Sequence, residues 1–264
     1  MDAPPANALA PPSTAGPHAA PSTTTTHEAL LRGALRKSAL DVYFQPIRRS
    51  CDLGILGFEA LMRGRHAPLV SPRSLLTVAE ASGCAAALSL LARTRAAEAF
   101  RRQALPAPLL FVNLHRAEIS RATLEPDAFV ATLGELDPSR VVIEVDEMTS
   151  QEALDELSAS IEDLRNVGLR FAFDDFGAGQ VDLLSLMKLR PEFLKLDRSL
   201  IHGIHLHAYL RRMVLSLVKF AEGSHTRLIA EGIECAEEYR VLMDLGVPFV
   251  QGFALGHPSE QMVR

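Results

Sequence analysis

Asp174 and Asp175 stand side by side in the stretch FAFDDFGAGQ, after an apolar run and before a glycine-rich turn. Adjacent carboxylates repel each other, and a carboxylate taken out of water needs a partner. Other apolar segments close on similar side chains: GFEALMR, LLFVNLH, RVVIEVDE, FLKLD, TRLIAEGIE and PFVQGFAL. They carry Glu59, Asn113, Glu144 with Glu147, Lys195 with Asp197, Glu231 with Glu234, and Gln251. One Glu after a strand is ordinarily a helix cap or a surface acid. Many in succession form a constellation, provided the fold brings the strand ends together. Clustered carboxylates raise one another's pKa unless cations neutralise them, and hard divalent cations take oxygen ligands. Two adjacent aspartates diverging at a strand end can reach two ions about 3.5–4 Å apart, the clamp used for phosphodiester hydrolysis. His66, His115, His202, His205, His207 and His257 fall in loops or helix starts with no HExxH spacing, so they are expected to be solvated.

The elements that must position these residues alternate. Helical spacing is read in HEALLRGALRKSA, PRSLLTVAEAS, AAALSLLARTRAAEAFRRQA, EPDAFVATLGEL, SQEALDELSASIEDLRNVG, VDLLSLMKL, AYLRRMVLSLVKFAEGS and AEEYRVLMDLG. Strands are read in DVYFQPIRR, LGILGFEALMR, LLFVNLH, RVVIEVDE, LRFAFDD, FLKLD, TRLIAEGIE and PFVQGFAL. Alternation points to parallel pairing, and near-continuous apolar strands point to burial on both faces. About eight strands over roughly 235 residues fit a single α/β domain, a TIM-like (β/α)8 barrel, whose sites lie at the C-terminal ends of the strands. A doubly wound open sheet is the alternative, but no GxGxxG or GxxxxGK[ST] supports its nucleotide-binding form.

Composition sets the limits. The 264 residues are 48% hydrophobic with a net charge of −5, which gives no footprint for DNA or RNA polymers. Cys51, Cys84 and Cys235 lie far apart without CxxC spacing, so they suggest neither a zinc site nor a disulfide framework but reduced thiols in a cytoplasmic protein. No apolar run approaches the roughly 20 residues of a membrane span. The Pro/Ala/Thr-rich residues 1–26 are expected to be a disordered tail, with the barrel domain over 27–264.

At this point the sequence resembles the EAL family of cyclic di-GMP phosphodiesterases. The pieces occur in family order from about residue 30 to 258: FQPI at 44–47, EALMR at 59–63, VNL at 112–114, EVDE at 144–147, DDFGAG at 174–179, LKLD at 194–197, AEGIE at 230–234 and QGF at 251–253. The resemblance implies a bacterial, Mg2+- or Mn2+-dependent enzyme with two ions, which hydrolyses cyclic di-GMP with water to linear pGpG. It implies Glu59, Asn113, Glu144, Asp174 and Glu231 as metal ligands, with Asp175 on the second ion. Lys195 then holds or activates the attacking water, with Glu231 and Gln251 beside it in the catalytic set. Gln45 and Arg63 become ligand contacts, Arg63 suited to a phosphate oxygen. Glu147 tethers the loop after the fifth strand, and Asp197 and Glu234 orient Lys195 and the metals.

The sequence departs from the family pattern in that loop. DFGTGYSSL is replaced by DFGAGQVDLL, so Gln180, Val181 and Asp182 stand where the family has Tyr-Ser-Ser, and Asp146 stands where Thr is common. In the family this loop positions a metal and, through the helix that follows, a homodimer partner. Asp182 reads as a first-turn acid of a helix at 181–188. Two readings stay open: an active phosphodiesterase, or a cyclic di-GMP receptor in which the altered loop at 176–182 slows turnover.

Overall fold

The computed structural model describes residues 23–103, 108–120, 124–146, 151–179 and 183–262. Glu147, Gln180, Val181, Asp182 and the first 22 residues of the expected tail lie outside the described residues. The elements are α1 (Thr23–Arg36), β1 (Leu40–Arg49), β2 (Ile55–Gly64), α2 (Pro72–Ala81), α3 (Ala85–Arg102), β3 (Leu109–Asn113), α4 (Pro126–Ala131), β4 (Val141–Asp146), α5 (Gln151–Asn166), β5 (Arg170–Phe176), α6 (Leu183–Leu189), β6 (Phe193–Leu196), α7 (Arg198–Ile201), α8 (Ala208–Ser224), β7 (Arg227–Ala230), α9 (Ala236–Asp244) and β8 (Phe249–Val250). Residues 23–26, assigned to the tail from composition, are the first turn of α1.

The strands close into one barrel in the order β1 to β8. β2 through β8 run parallel, whereas β1 is antiparallel to both β2 and β8. That departs from an all-parallel barrel, and the reason is chain length. The link from Arg49 to Ile55 is a tight turn, too short for the dozen or more residues of a parallel crossover.

Alternation along the strands builds the interior in two storeys. Ile47, Leu109, Phe111, Val142, Ala172, Phe193, Ile229 and Phe249 form a buried apolar cluster. Its rings meet edge to face: Phe111 and Phe193 centroids are 5.2 Å apart, Phe193 and Phe249 6.2 Å. Two residues further along each strand, on the same face, the side chain becomes polar. Asn113 follows Phe111, Glu144 follows Val142, Asp174 follows Ala172, Lys195 follows Phe193, Glu231 follows Ile229 and Gln251 follows Phe249. On β2, Glu59 follows Gly57, where a Cβ would overlap the Leu109 carbonyl. On the reversed β1, Gln45 precedes Ile47 and pairs in register with Glu59. The outward faces are apolar as well. Phe58, Leu110, Ile143, Phe171, Leu194 and Leu228 pack in one cluster with Leu157, Ile161, Val214 and Leu242 of the surrounding helices.

Candidate active site

The polar storey is organised around Lys195, which is fully buried. Its Nζ lies 2.6 Å from Glu144 Oε1, 2.7 Å from Glu231 Oε1, 2.9 Å from Asp174 Oδ1 and 3.9 Å from Glu59 Oε2. Burial works to lower the lysine pKa, but the charges of Asp174, Glu144 and Glu231 outweigh it and hold the ammonium well above its usual range. Burial drives the Glu144 and Glu231 carboxyls well above the usual range, against the pull of Lys195. Asn113 Nδ2 donates to Glu144 Oε2 at 3.1 Å. Gln251 Nε2 donates to Glu59 Oε2 at 2.5 Å and lies 3.4 Å from Gln45 Oε1, while Gln45 Nε2 donates to the Gly256 carbonyl at 3.1 Å.

The two aspartates reach the same site through a β-bulge. Between β5 and β6 the register slips: Phe173 pairs with Leu194, but Phe176 pairs with Leu196. In a regular strand Asp174 and Asp175 would point to opposite faces. The extra residue, with Asp175 at φ 56°, turns both toward the mouth. Asp tolerates this left-handed conformation better than most residues. Burial first, then the charge of Asp174, pushes the Asp175 carboxyl up to about 7.

Glu59, Glu144 and Asp174 each offer an oxygen within 4.8 Å of the others, and so do Asp174, Asp175 and Glu231. The two groups share Asp174. Lys195 alone faces Glu144 Oε1 and Glu231 Oε1, while Gln251 Oε1 is buried without a hydrogen-bond donor, and such an atom suits a ligand. When all are ionised, five carboxylates around one ammonium leave four negative charges, the number two divalent ions would balance. The donor set, all oxygen, fits Mg2+ or Mn2+.

The remaining predicted residues divide. Arg63 lies on the Glu59 face of β2. It donates to the Met62 carbonyl at 2.9 Å and sits 5.3 Å over the Tyr43 ring; Glu59 acts on it through its charge, but it makes no ion pair among the described residues. Asp197 and Glu234 do not orient Lys195 by contact. β6 ends at Leu196 and the chain turns into α7, so Asp197 Oδ1 accepts the Ser199 N–H at 2.8 Å as a helix cap. Glu234 instead accepts from Arg198 Nη2 at 2.8 Å. Asp197 still acts on the site at a distance, since its charge adds to the upward push on Asp175.

A cavity of 480 Å3 opens from Glu59, Asn113, Asp174, Asp175 and Glu231 toward α2 and α3. Arg73, Glu80, His115, Arg116 and Asp146 line it, and the sequence reading assigned none of them to the site. Arg116 Nη2 donates to Glu80 Oε1 at 2.6 Å, and His115 Nε2 is 3.2 Å from the same oxygen. His115 is therefore engaged rather than solvated. Its position directly after VNL, at the end of β3, was the available signal.

The family model described as EAL domain matches residues 28–258. The chain belongs to the EAL domain family. It is 29% identical to the bifunctional diguanylate cyclase/cyclic di-GMP phosphodiesterase MucR of Pseudomonas aeruginosa, over 88% of this chain and 35% of that protein. Its fold is similar to the PaMucR phosphodiesterase in complex with c-di-GMP, with TM-score 0.79, 28% identity and coverage of 89% of this chain and 97% of that one. A manganese/cy-diGMP complex of Klebsiella pneumoniae BlrP1 is similar at TM-score 0.74 and 28% identity, covering 84% of this chain and 56% of that one. The EAL chain spans 29–35% of the length of the first curated relatives it matches. No helix among its described residues is long and apolar enough to cross a membrane.

Proposed function

We propose that this EAL domain is a metal-dependent phosphodiesterase that opens cyclic di-GMP to linear pGpG, with water as nucleophile and two Mg2+ or Mn2+ ions as cofactor. The observation that carries this reading is the pair of three-carboxylate groups sharing Asp174. When bound, the ions supply positive charge at the attacking and leaving oxygens and acidify water. Glu59, Asn113, Glu144, Asp174 and Glu231 would hold them, with Asp175 on the second. Lys195 keeps its proton, because three carboxylates surround it. It therefore acts as a donor that fixes the nucleophilic water, and it is not the base that takes that water's proton. Gln251 Nε2 is engaged by Glu59, which leaves Oε1 to accept from a water. Gln45 closes the site beside Gln251, and Arg63 offers a guanidinium without an ion-pair partner among the described residues to a phosphate oxygen. In this reading Glu147 tethers the loop after β5.

The altered loop supports a second reading, a cyclic di-GMP receptor with little turnover. One experiment separates the two: incubate the protein with cyclic di-GMP and Mn2+ and follow pGpG by chromatography, with Asp174→Asn as the inactive control. Hydrolysis is expected, and it should quicken when Gln180, Val181 and Asp182 are replaced by Tyr, Ser and Ser. Tight binding with no pGpG from either protein would leave the receptor. A homodimer through the helix after the loop belongs to the same proposal. Met187 of α6, 66% exposed, suits such a contact, and sedimentation tests it.

A further inference from the structure

A second group of metal-type donors lies outside the carboxylate site. His205, Cys235 and Glu238 each offer a ligand atom, and the three atoms lie within 4.8 Å of one another. His205 belongs to the turn between α7 and α8, Cys235 is the residue before α9, and Glu238 lies in the first turn of that helix. None of them belongs to the cyclic di-GMP machinery described above.

His205 offers an unpartnered nitrogen, and the Cys235 thiol, bonded to the Glu237 side chain, is held at the same place. His205 Nδ1 is buried without a hydrogen-bond partner, an uncommon state for a buried imidazole nitrogen. Cys235 occupies the N-cap of α9, where Ser, Thr, Asp or Asn would bond the helix start, yet it makes no side-chain cap bond. Glu238 is 1% exposed. Its Oε1 accepts the Gly203 N–H and its Oε2 the Glu234 N–H, both at 2.9 Å. These bonds, with a further one from the Cys235 backbone, aim the carboxylate, and its two oxygens have more lone pairs than these donors use. Burial works against the charge, but the backbone donors outweigh it and hold the carboxyl below its usual range. Two more imidazoles border the group. His202 Nδ1 is 3.5 Å from Glu238 Oε1, and the His207 ring packs over Gly203.

A mixed nitrogen, sulfur and oxygen set differs in kind from the all-oxygen set around Asp174. Thiolate and imidazole select Zn2+ over Mg2+ or Mn2+. We propose that His205, Cys235 and Glu238 form a Zn2+ site, with His202 beside Glu238 as a further donor. Binding releases the Cys235 thiol proton to solvent, since the thiolate is the ligand. The ion ties the 202–207 turn to the start of α9, directly beside Glu234 and four residues beyond Glu231. The three histidines of HGIHLH, together with the C-A-E-E spacing, carry this signal in the sequence, where they were expected to be solvated residues and a plain thiol.

Cobalt(II) reports the site independently of catalysis. A cysteine ligand gives a near-ultraviolet sulfur-to-cobalt charge-transfer band, which oxygen ligands cannot give. The metal-free full chain is expected to develop this band with one equivalent of Co2+, and Zn2+ should displace it. The band should vanish in Cys235→Ser. It should persist in Asp174→Asn and in the double variant Cys51→Ser/Cys84→Ser. His205→Gln, which keeps the thiol, should weaken Co2+ binding by more than about tenfold. No band in the wild-type protein, or an unchanged band in Cys235→Ser, would overturn the proposal and leave these side chains as a helix-capping cluster.

Discussion

Replacing Lys195 by Met tests how the buried charge is balanced. The ammonium stands within 2.9 Å of Glu144, Glu231 and Asp174, and among the described residues no other cation is paired with these three acids. Removing one partner of a buried ion pair costs about 3–5 kcal/mol, because the remaining charge stays desolvated. Here three carboxylates lose a shared partner, so that range applies to the metal-free protein at pH 8. The cost depends on pH in a definite direction. Without the ammonium, the folded-state carboxyls of Glu144 and Glu231, already raised by burial, rise further above their unfolded values. The folded variant therefore binds more protons than the unfolded chain, and its stability falls as pH rises through those values. The deficit should shrink toward pH 5 and should also shrink on addition of Mn2+, which supplies the missing charge. Urea titrations in EDTA at pH 5 and pH 8, repeated with Mn2+, measure it. Turnover should fall by roughly 100-fold or more while cyclic di-GMP affinity changes much less. A metal-free variant as stable as wild type at pH 8 would refute the account of Lys195 as the counter-charge. A collapse of ligand affinity would make it a substrate anchor.

Asp174→Ala removes the oxygen shared by both carboxylate groups, so calorimetry should show loss of both Mn2+ sites, whereas Glu59→Ala should spare the group formed with Asp175 and Glu231. Wild-type protein in EDTA should lose thermal stability between pH 5 and pH 7, because the Asp175 carboxyl is pushed up to about 7 from a usual 3.8 and the folded state keeps its proton where the unfolded chain has lost it. Saturating Mn2+ should abolish or invert that trend in a scanning-calorimetry series. Glu118→Ala should cost about 3–5 kcal/mol in urea unfolding, since it strands Arg93, which is 2% exposed and donates to both Glu118 oxygens at 3.0 and 2.7 Å. Replacing Arg93 and Glu118 together by Met and Leu should recover most of that loss.

Much of the barrel was legible in the chain because its strands are apolar on both faces and then turn polar at one face two residues later. That step, Phe193 to Lys195 or Ile229 to Glu231, is visible without coordinates and locates the storey where ligands collect. Even the reversal of β1 was available, since the segment between Arg49 and Ile55 is too short for a crossover. Other features needed the closed barrel. A lysine at the end of a strand does not announce that three acids from β4, β5 and the segment after β7 will surround it. Those partners are set by the register of strands far apart in sequence. The same holds for the bulge at Asp174 and Asp175, since a one-residue slip arises from pairing with β6 and leaves no mark in periodicity. Asp197 and Glu234 looked equivalent to their neighbours as strand-end acids, yet the turn into α7 gave one to a helix cap and the other to Arg198. Residue type and spacing determined which side chains were available at the mouth of the barrel. Tertiary packing decided which of them face one another, because interaction energy depends on distances of a few ångströms that only the folded chain defines.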